Sequence, residues 1–409
     1  MAVTEKRTRI ERNALQSVNR PESPSGDILT LDDYQDAAAR TDQHVSRGTD
    51  GLAFPLLGLF GEVGTLLSAL KKKRREGDAY PGYADAISEE LGDVLWYLCA
   101  IASRASLRLR NLIDPALLCS DVPHHVSTFL DLQLCKDFEG SPKSPEFEQA
   151  VISLAGKTGL LLNEFSHGQV RADASVLEAH LRMIFSLLIN AANIANISIA
   201  NAAERNIAKI DSRWPRERTY SPLFDAVFPA GEQLPKRIEM HILEVRDNGK
   251  DRVIQLWNGR EVGSPLTDNK IVEDDYRFHD VFHLAYAGVL GWSPCLRALL
   301  RVKRKSRSDV DENEDGARAA LTEEGVSALI FQHALRLNYF ANISSLDYSL
   351  LKSVRDFVSG YEVERCALWQ WEKAILDGFR VFRQIRQFRR GIVRADLVDR
   401  SVTFEPHAK

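Results

Sequence analysis

The chain has few of the residues on which specialised scaffolds rely. Its 409 residues include five cysteines, Cys99, Cys119, Cys135, Cys295 and Cys366, which are widely spaced, odd in number and without a CxxC pair. That spacing excludes a disulfide framework and a zinc ribbon, and it fits a reducing compartment. Neither sign of charge is in excess: 53 Lys and Arg against 57 Asp and Glu leave a net charge of −4. Nothing global therefore draws the protein to nucleic acid or an anionic membrane, and any anion-binding function has to be local. Uninterrupted apolar runs of the roughly 20 residues that a membrane helix needs are lacking. The opening "MAVTEKRTRIERNALQSVNRPESPSGD" has no apolar segment of signal-peptide length, so a cytoplasmic location without a membrane partner is expected. With Pro21, Pro24 and Gly26 close together, residues 1–28 read as a flexible polar tail.

What is present is mostly helical periodicity. A 44% hydrophobic chain of this length is ample for two or three ordinary cores, and the pattern predicts a mainly α protein. "TLDDYQDAAART" opens a helix with Thr30 as N-cap and acidic residues in the first turn. Two long helices are expected over about 52–76, ending at Gly77, and 84–107, then an irregular insertion over 110–146, rich in proline. Helices over 147–165 and 173–210 complete a first domain, 29–225. The second domain, 226–409, begins with "RIEMHILEV" and "RVIQLWNG" around "RDNGKD", whose Asn-Gly predicts one small β-hairpin. Helices resume at Asp275 and run to about Phe388, and "VRADLVDRSVTF" has the pattern of a strand.

Two short stretches carry chemistry. In "GLFGEVGTLLSALKKK", Leu59, Val63, Leu66 and Leu70 form the core stripe, while Gly58, Glu62, Thr65 and Ala69 run along its flank. Small residues there let another element or a ligand approach beside Glu62. In "ISEELGDVLWYL", Ile87, Val94, Leu98 and Ile101 make an apolar stripe with Glu90 at its edge. Asp93 lies three residues on, and Glu89 just beyond it. A carboxylate taken from water without a partner costs several kcal/mol or gives up its charge. Antiparallel packing of the two helices would bring these groups together. Converging carboxylates need a cation, and oxygen-only donors select hard ions such as Mg²⁺ or Mn²⁺. The alternative is that they are solvated surface charges or ion-paired with neighbouring basic residues.

On "GLFGEVGTLLSALKK", "ISEELGDVLWYL" and "NAAERNIAKIDSRWP", residues 30–216 resemble the MazG family of all-α nucleoside triphosphate pyrophosphohydrolases. The resemblance implies a helical bundle that binds Mg²⁺ and cuts a nucleoside triphosphate between its α and β phosphates, working as a homo-dimer or tetramer. By position it implies Glu62, Glu90 and Asp93 as metal ligands, with Glu89 beside them in the catalytic set. Asn206, Lys209 and Arg213 match a helix whose basic residues contact phosphates; Lys72 and Gln35 are further substrate-binding candidates, for the triphosphate and for base or sugar. One position departs from the pattern: Thr65 stands where the family has a second glutamate, which Glu89 is expected to offset. The rival reading is a non-catalytic nucleotide-sensing or scaffold protein with a degenerate site.

The second half resembles a region attached to a subset of MazG-like proteins. In "DDYRFHDVFHLAYAGVLGW", His279 and His283 stand at metal-compatible i, i+4 spacing beside Asp280, and Glu324 is available from a later helix. A second metal site is one reading of these residues; hydrogen-bonded structural histidines among aromatics are the other. The basic run 297–307, followed at once by "DVDENED", reads as a charged loop neutralised locally. Arg380, Arg383, Arg386, Arg389 and Arg390 form a stripe that reads as a solvated face or subunit contact, since no interleaved aromatics suggest a nucleic-acid partner.

Overall fold

The computed structural model describes residues 28–43, 49–113, 126–133 and 140–407. The N-terminal tail and much of the 110–146 insertion, with Cys119 and Cys135, lie outside the described residues. The chain forms two compact units, 1–210 and 211–409, and it is mainly α, with one antiparallel sheet.

The first unit is a helical bundle. Helix α1, Leu31–Thr41, starts where the Thr30 hydroxyl accepts from the Asp33 N–H. Helix α2, Ala53–Glu76, ends at Gly77, whose positive φ of 56° releases the chain into a turn. Helix α3, Tyr83–Arg104, returns alongside it. Helix α4, Pro145–Ser166, has Ser144 as N-cap and proline at its first position, and helix α5, Ala174–Ala195, packs on it. Leu59, Val63 and Leu66 of α2 meet Ile87, Val94 and Leu98 of α3 in one core, all essentially buried.

A single helix over 173–210 does not form. It breaks at Asn196, which takes the left-handed conformation at φ 53°, and helix α6, Ile199–Arg213, starts three residues later. Asparagine tolerates that conformation better than other side chains, and the break lets α6 lie against α3. Gly92 makes the approach possible, because a Cβ there would stand 2.9 Å from the Ala202 carbonyl oxygen. Ala53–Ala79 and Ala174–Ala195 are long and apolar enough to cross a membrane. Both nonetheless bury a face in the bundle, and Glu62 and Arg182 interrupt them.

In the second unit the sheet order is β3-β2-β1-β4-β5, comprising β1 (Arg237–Asp247), β2 (Lys250–Trp257), β3 (Arg260–Glu261), β4 (Arg390–Asp396) and β5 (Ser401–Pro406). The predicted hairpin is β1–β2, closed by Asn248 and Gly249, both at positive φ. The C-terminal segment adds two further strands, β4 pairing with β1. Helix α7, Asp280–Leu290, is buried on every side from Val281 onward, which explains a run too apolar for a surface helix. Gly288 of α7 lies under Ser401 of β5, where a Cβ would come within 2.7 Å of its carbonyl oxygen. Helices α8 (Pro294–Leu300), α9 (Ala317–Leu335), α10 (Tyr348–Phe357) and α11 (Leu368–Phe388) complete the unit. Residues 211–225 belong here through the Ser212 hydroxyl, which accepts from Leu368 N, and through Asp225, which pairs with Arg297.

The basic run is neutralised in part by the acidic stretch that follows it, Arg304 by Asp315 and Arg307 by Asp309, but it is not all surface. Arg297 and Arg304 are each 1% exposed and pair with Asp225 and with Asp315 and Glu362 respectively. The later arginine stripe is partnered: Arg386 and Arg389 share Asp275, Arg380 pairs with Asp377 on its own helix and donates to the Val402 carbonyl, and Arg383 donates to the Tyr339 carbonyl.

Two glycine substitutions separate helix propensity from packing. Gly61→Ala, on a face with nothing within 4 Å, should stabilise by up to about 1 kcal/mol. Gly92→Ala should destabilise by about 1–3 kcal/mol through overpacking. Urea denaturation of the two variants reads the opposite signs.

Candidate functional site

The packing of α2 against α3 draws Glu62, Glu90 and Asp93 together, with one carboxylate oxygen from each within 4.8 Å of the others. Each side chain is half-buried. Glu90 Oε2 is shielded from solvent and has no hydrogen-bond partner, an arrangement that a buried carboxylate rarely keeps without a cation. Glu62 and Glu90 share a hydrogen bond. Burial, followed by Asp93, Glu62 and Glu89, pushes the Glu90 carboxyl up to about 8, against the pull of Lys209. Burial and Asp93 likewise raise Glu62.

Helix α6 supplies the counter-charge. Lys209 Nζ pairs with Asp93 and stands 3.6 Å from Glu89. Asn206 Nδ2 donates to Asp93 at 2.7 Å and is itself held by the Tyr34 hydroxyl, which donates to its Oδ1 at 3.0 Å. Asp93 is therefore shared between the carboxylate group and the polar face of α6. What approaches α2 at Gly58 is the Tyr97 ring, where a Cβ would lie 2.0 Å from the ring edge. Burial first and then the Glu62 charge raise the Tyr97 phenol. Neither tyrosine was evident in the sequence, because each is separated from its partner by a helix or more; the glycine at position 58 was the available signal.

Other expected site residues are placed elsewhere. Glu89 turns toward Lys209 and is not one of the converging three. Thr65 is exposed and its hydroxyl donates to the Gly61 carbonyl, one turn back on its own helix. Gln35, expected to read a base or sugar, is buried with its amide fully engaged: it donates to Ser103 and Leu107 and accepts from Leu109 N. It fastens the end of α3 to α1 and has no free group to offer. Lys72 lies over the Tyr80 ring, ten residues and so about 15 Å of helix beyond Glu62. Arg213 belongs to the second unit, where it donates to the Leu346 carbonyl and lies over Trp214. Of the basic and amide candidates, Asn206 and Lys209 are the ones that border the carboxylates.

In the second unit His279, Asp280, His283 and Glu324 also come together. His279 Nε2 is 3.2 Å from Asp280 and 3.6 Å from Glu324, and His283 Nε2 is 3.3 Å from Glu324. Glu323, two residues short of Gly325 on α9 and fully buried, holds His283 Nδ1 at 2.8 Å.

Residues 219–408 match the family model of the MazG C-terminal domain. The chain belongs to the MazG-like proteins that carry this domain. Among curated proteins, the Gene 37 protein of Mycobacterium phage L5 is 33% identical over 90 residues, 20% of this chain and 79% of that protein. No solved structure matches the MazG-like chain. The family model covers the second unit, and membership in this family points to a function connected with nucleotides.

The Glu90 shift sets the sign of a pH effect. A carboxyl that titrates higher when folded keeps its proton where the unfolded chain has lost it, so this contribution is full below about pH 4.5 and is lost as pH rises toward about 8. Metal-free protein in chelator should therefore show a falling Tm between about pH 5 and 8, and Glu90→Gln should flatten the fall. Thermal denaturation across that range checks it; an equal slope in the variant would contradict it.

Proposed function

We propose that the first unit hydrolyses nucleoside triphosphates between the α and β phosphates, giving nucleoside monophosphate and pyrophosphate. The observation that carries the reading is the convergence of Glu62, Glu90 and Asp93 around a shielded, unpartnered carboxylate oxygen, with Lys209 at its border. An all-oxygen, anionic donor set suits Mg²⁺, with Mn²⁺ as a substitute, and these three residues would hold it. When bound, such an ion clamps phosphate oxygens and makes a coordinated water more acidic.

The chain's own residues have distinct tasks. Lys209, paired with Asp93 in this state, would turn to the triphosphate once an ion took over the balancing of the Asp93 charge. Asn206, fixed by Tyr34, keeps Asp93 oriented and offers an amide to a phosphate oxygen. Glu89, the neighbouring carboxylate outside the converging three, would accept the proton of the attacking water. Tyr97 closes the α2 side at Gly58. Family membership supports chemistry on nucleotides, and the quoted motifs of the first unit support this cleavage in particular.

Thr65 favours a narrower form of the site. With a hydroxyl facing its own helix in place of a fourth carboxylate, three ligands suffice for one ion rather than two. It is also the observation that would favour the rival reading, a nucleotide sensor that binds without turnover. A homo-oligomer fits this reading too, since Leu57 and Phe60 of α2 and Leu160 of α4 present apolar side chains that are 62%, 45% and 46% exposed, a surface suited to a second copy.

Pyrophosphate release from a panel of NTPs and dNTPs with Mg²⁺ tests the proposal. Release should require Mg²⁺, fall at least about a hundredfold in Glu90→Gln, and fall about tenfold or more in Lys209→Ala. Nucleotide binding without release would select the sensor. Thr65→Glu, at an exposed position, should lower the Mg²⁺ concentration needed for half-maximal rate several-fold, read from a metal titration of activity.

A further inference from the structure

The histidine–carboxylate cluster of the second unit is built from outside inward. His279 Nδ1 is 2.8 Å from the Tyr276 carbonyl oxygen, and His283 Nδ1 is 2.8 Å from Glu323. Glu323 is fixed in turn by the Ser293 hydroxyl at 2.6 Å and the Cys295 N–H at 2.8 Å. Acceptors at both Nδ1 positions place a ring proton there and make each Nε2 the nitrogen that a ligand would meet. Those two nitrogens face the same space as Asp280 Oδ1 and the two Glu324 oxygens. The other Asp280 oxygen accepts from the Gln255 amide.

Structural histidines would be satisfied at both nitrogens. His283 is not: the residue is 4% exposed, and its Nε2 makes no well-aligned hydrogen bond although Glu324 stands 3.3 Å away. The separations of 3.2, 3.3 and 3.6 Å are those of donors arranged around a common ion, since ligands about 2.0–2.1 Å from a tetrahedral centre stand about 3.3 Å apart. A cavity of about 220 Å³ opens beside the cluster, walled by Leu266, Leu296, Leu299 and Ser264.

We propose that His279, His283 and Glu324 bind one divalent transition-metal ion of the zinc class, through both Nε2 atoms and a Glu324 oxygen, with Asp280 beside them and the fourth coordination position open to this cavity. Mixed imidazole and carboxylate donors favour Zn²⁺, Mn²⁺ or Fe²⁺ over the hard Mg²⁺ of an all-oxygen site. No lysine or arginine lines the cavity, so an incoming group reaches the ion through its own donor atom while its body meets apolar wall. The site is independent of the carboxylates in the first unit and stands or falls without them.

The test uses the full chain, stripped with chelator and titrated with Co²⁺, whose visible absorption reports imidazole and carboxylate coordination. One equivalent should bind with a ligand-field band, Zn²⁺ should displace it, and Glu90→Gln should leave both unchanged. Glu324→Gln and His283→Asn should weaken Co²⁺ affinity at least tenfold. Glu324 is partly exposed, so its variant decides the matter if His283→Asn fails to fold. Absence of a saturable Co²⁺ band in the wild-type chain, or equal affinity in Glu324→Gln, would overturn the proposal.

Discussion

Three carboxyl groups held within a few ångströms by the packing of two helices form the constraint on which the first unit depends. Ile87, Val94 and Leu98 bury one face of α3 against Leu59, Val63 and Leu66 of α2, and that same packing fixes where Glu62, Glu90 and Asp93 must stand. Hydrophobic burial sets the positions, and burial first, then the neighbouring carboxylates, make the Glu90 carboxyl hold its proton to about 8. Lys209 and Asn206 stabilise the charge at Asp93. On the proposed function, the residues that would meet a polyphosphate are the ones that balance the site in its absence.

Much of this was legible in the sequence because it is local. Helix ends followed from Thr30 and Gly77, and the hairpin from Asn248-Gly249. The carboxylate pair at 90 and 93 was evident from spacing alone, and its partner Glu62 from the small residues around it. What failed was long-range. Gln35 is polar and close to the helix start, yet its amide is taken up by Ser103, Leu107 and Leu109, some seventy residues away. Arg304 does meet the acidic stretch read from the sequence, at Asp315, but Arg297 is made interior by a buried aspartate at 225, seventy-two residues away. The break at Asn196 carried no glycine or proline to announce it, and it decides which residues of α6 reach Asp93.

The second unit shows the converse. Its most apolar helix, α7, is central to the fold, and two histidines in such a helix would ordinarily be structural. The second acidic layer changes that reading. Glu323 and the Tyr276 carbonyl take one nitrogen of each ring, so the remaining nitrogens face Asp280 and Glu324 rather than satisfying the fold. The two units thus carry donor sets of different hardness, all-oxygen in the first and nitrogen with oxygen in the second, and would select different ions.

The most direct measurement is anomalous diffraction from crystals of the full chain grown with Mn²⁺. The account predicts a peak within coordination distance of Glu62, Glu90 and Asp93, with Lys209 withdrawn from Asp93. Well-ordered crystals with no peak there, and Lys209 still closed on the aspartate at saturating Mn²⁺, would contradict it.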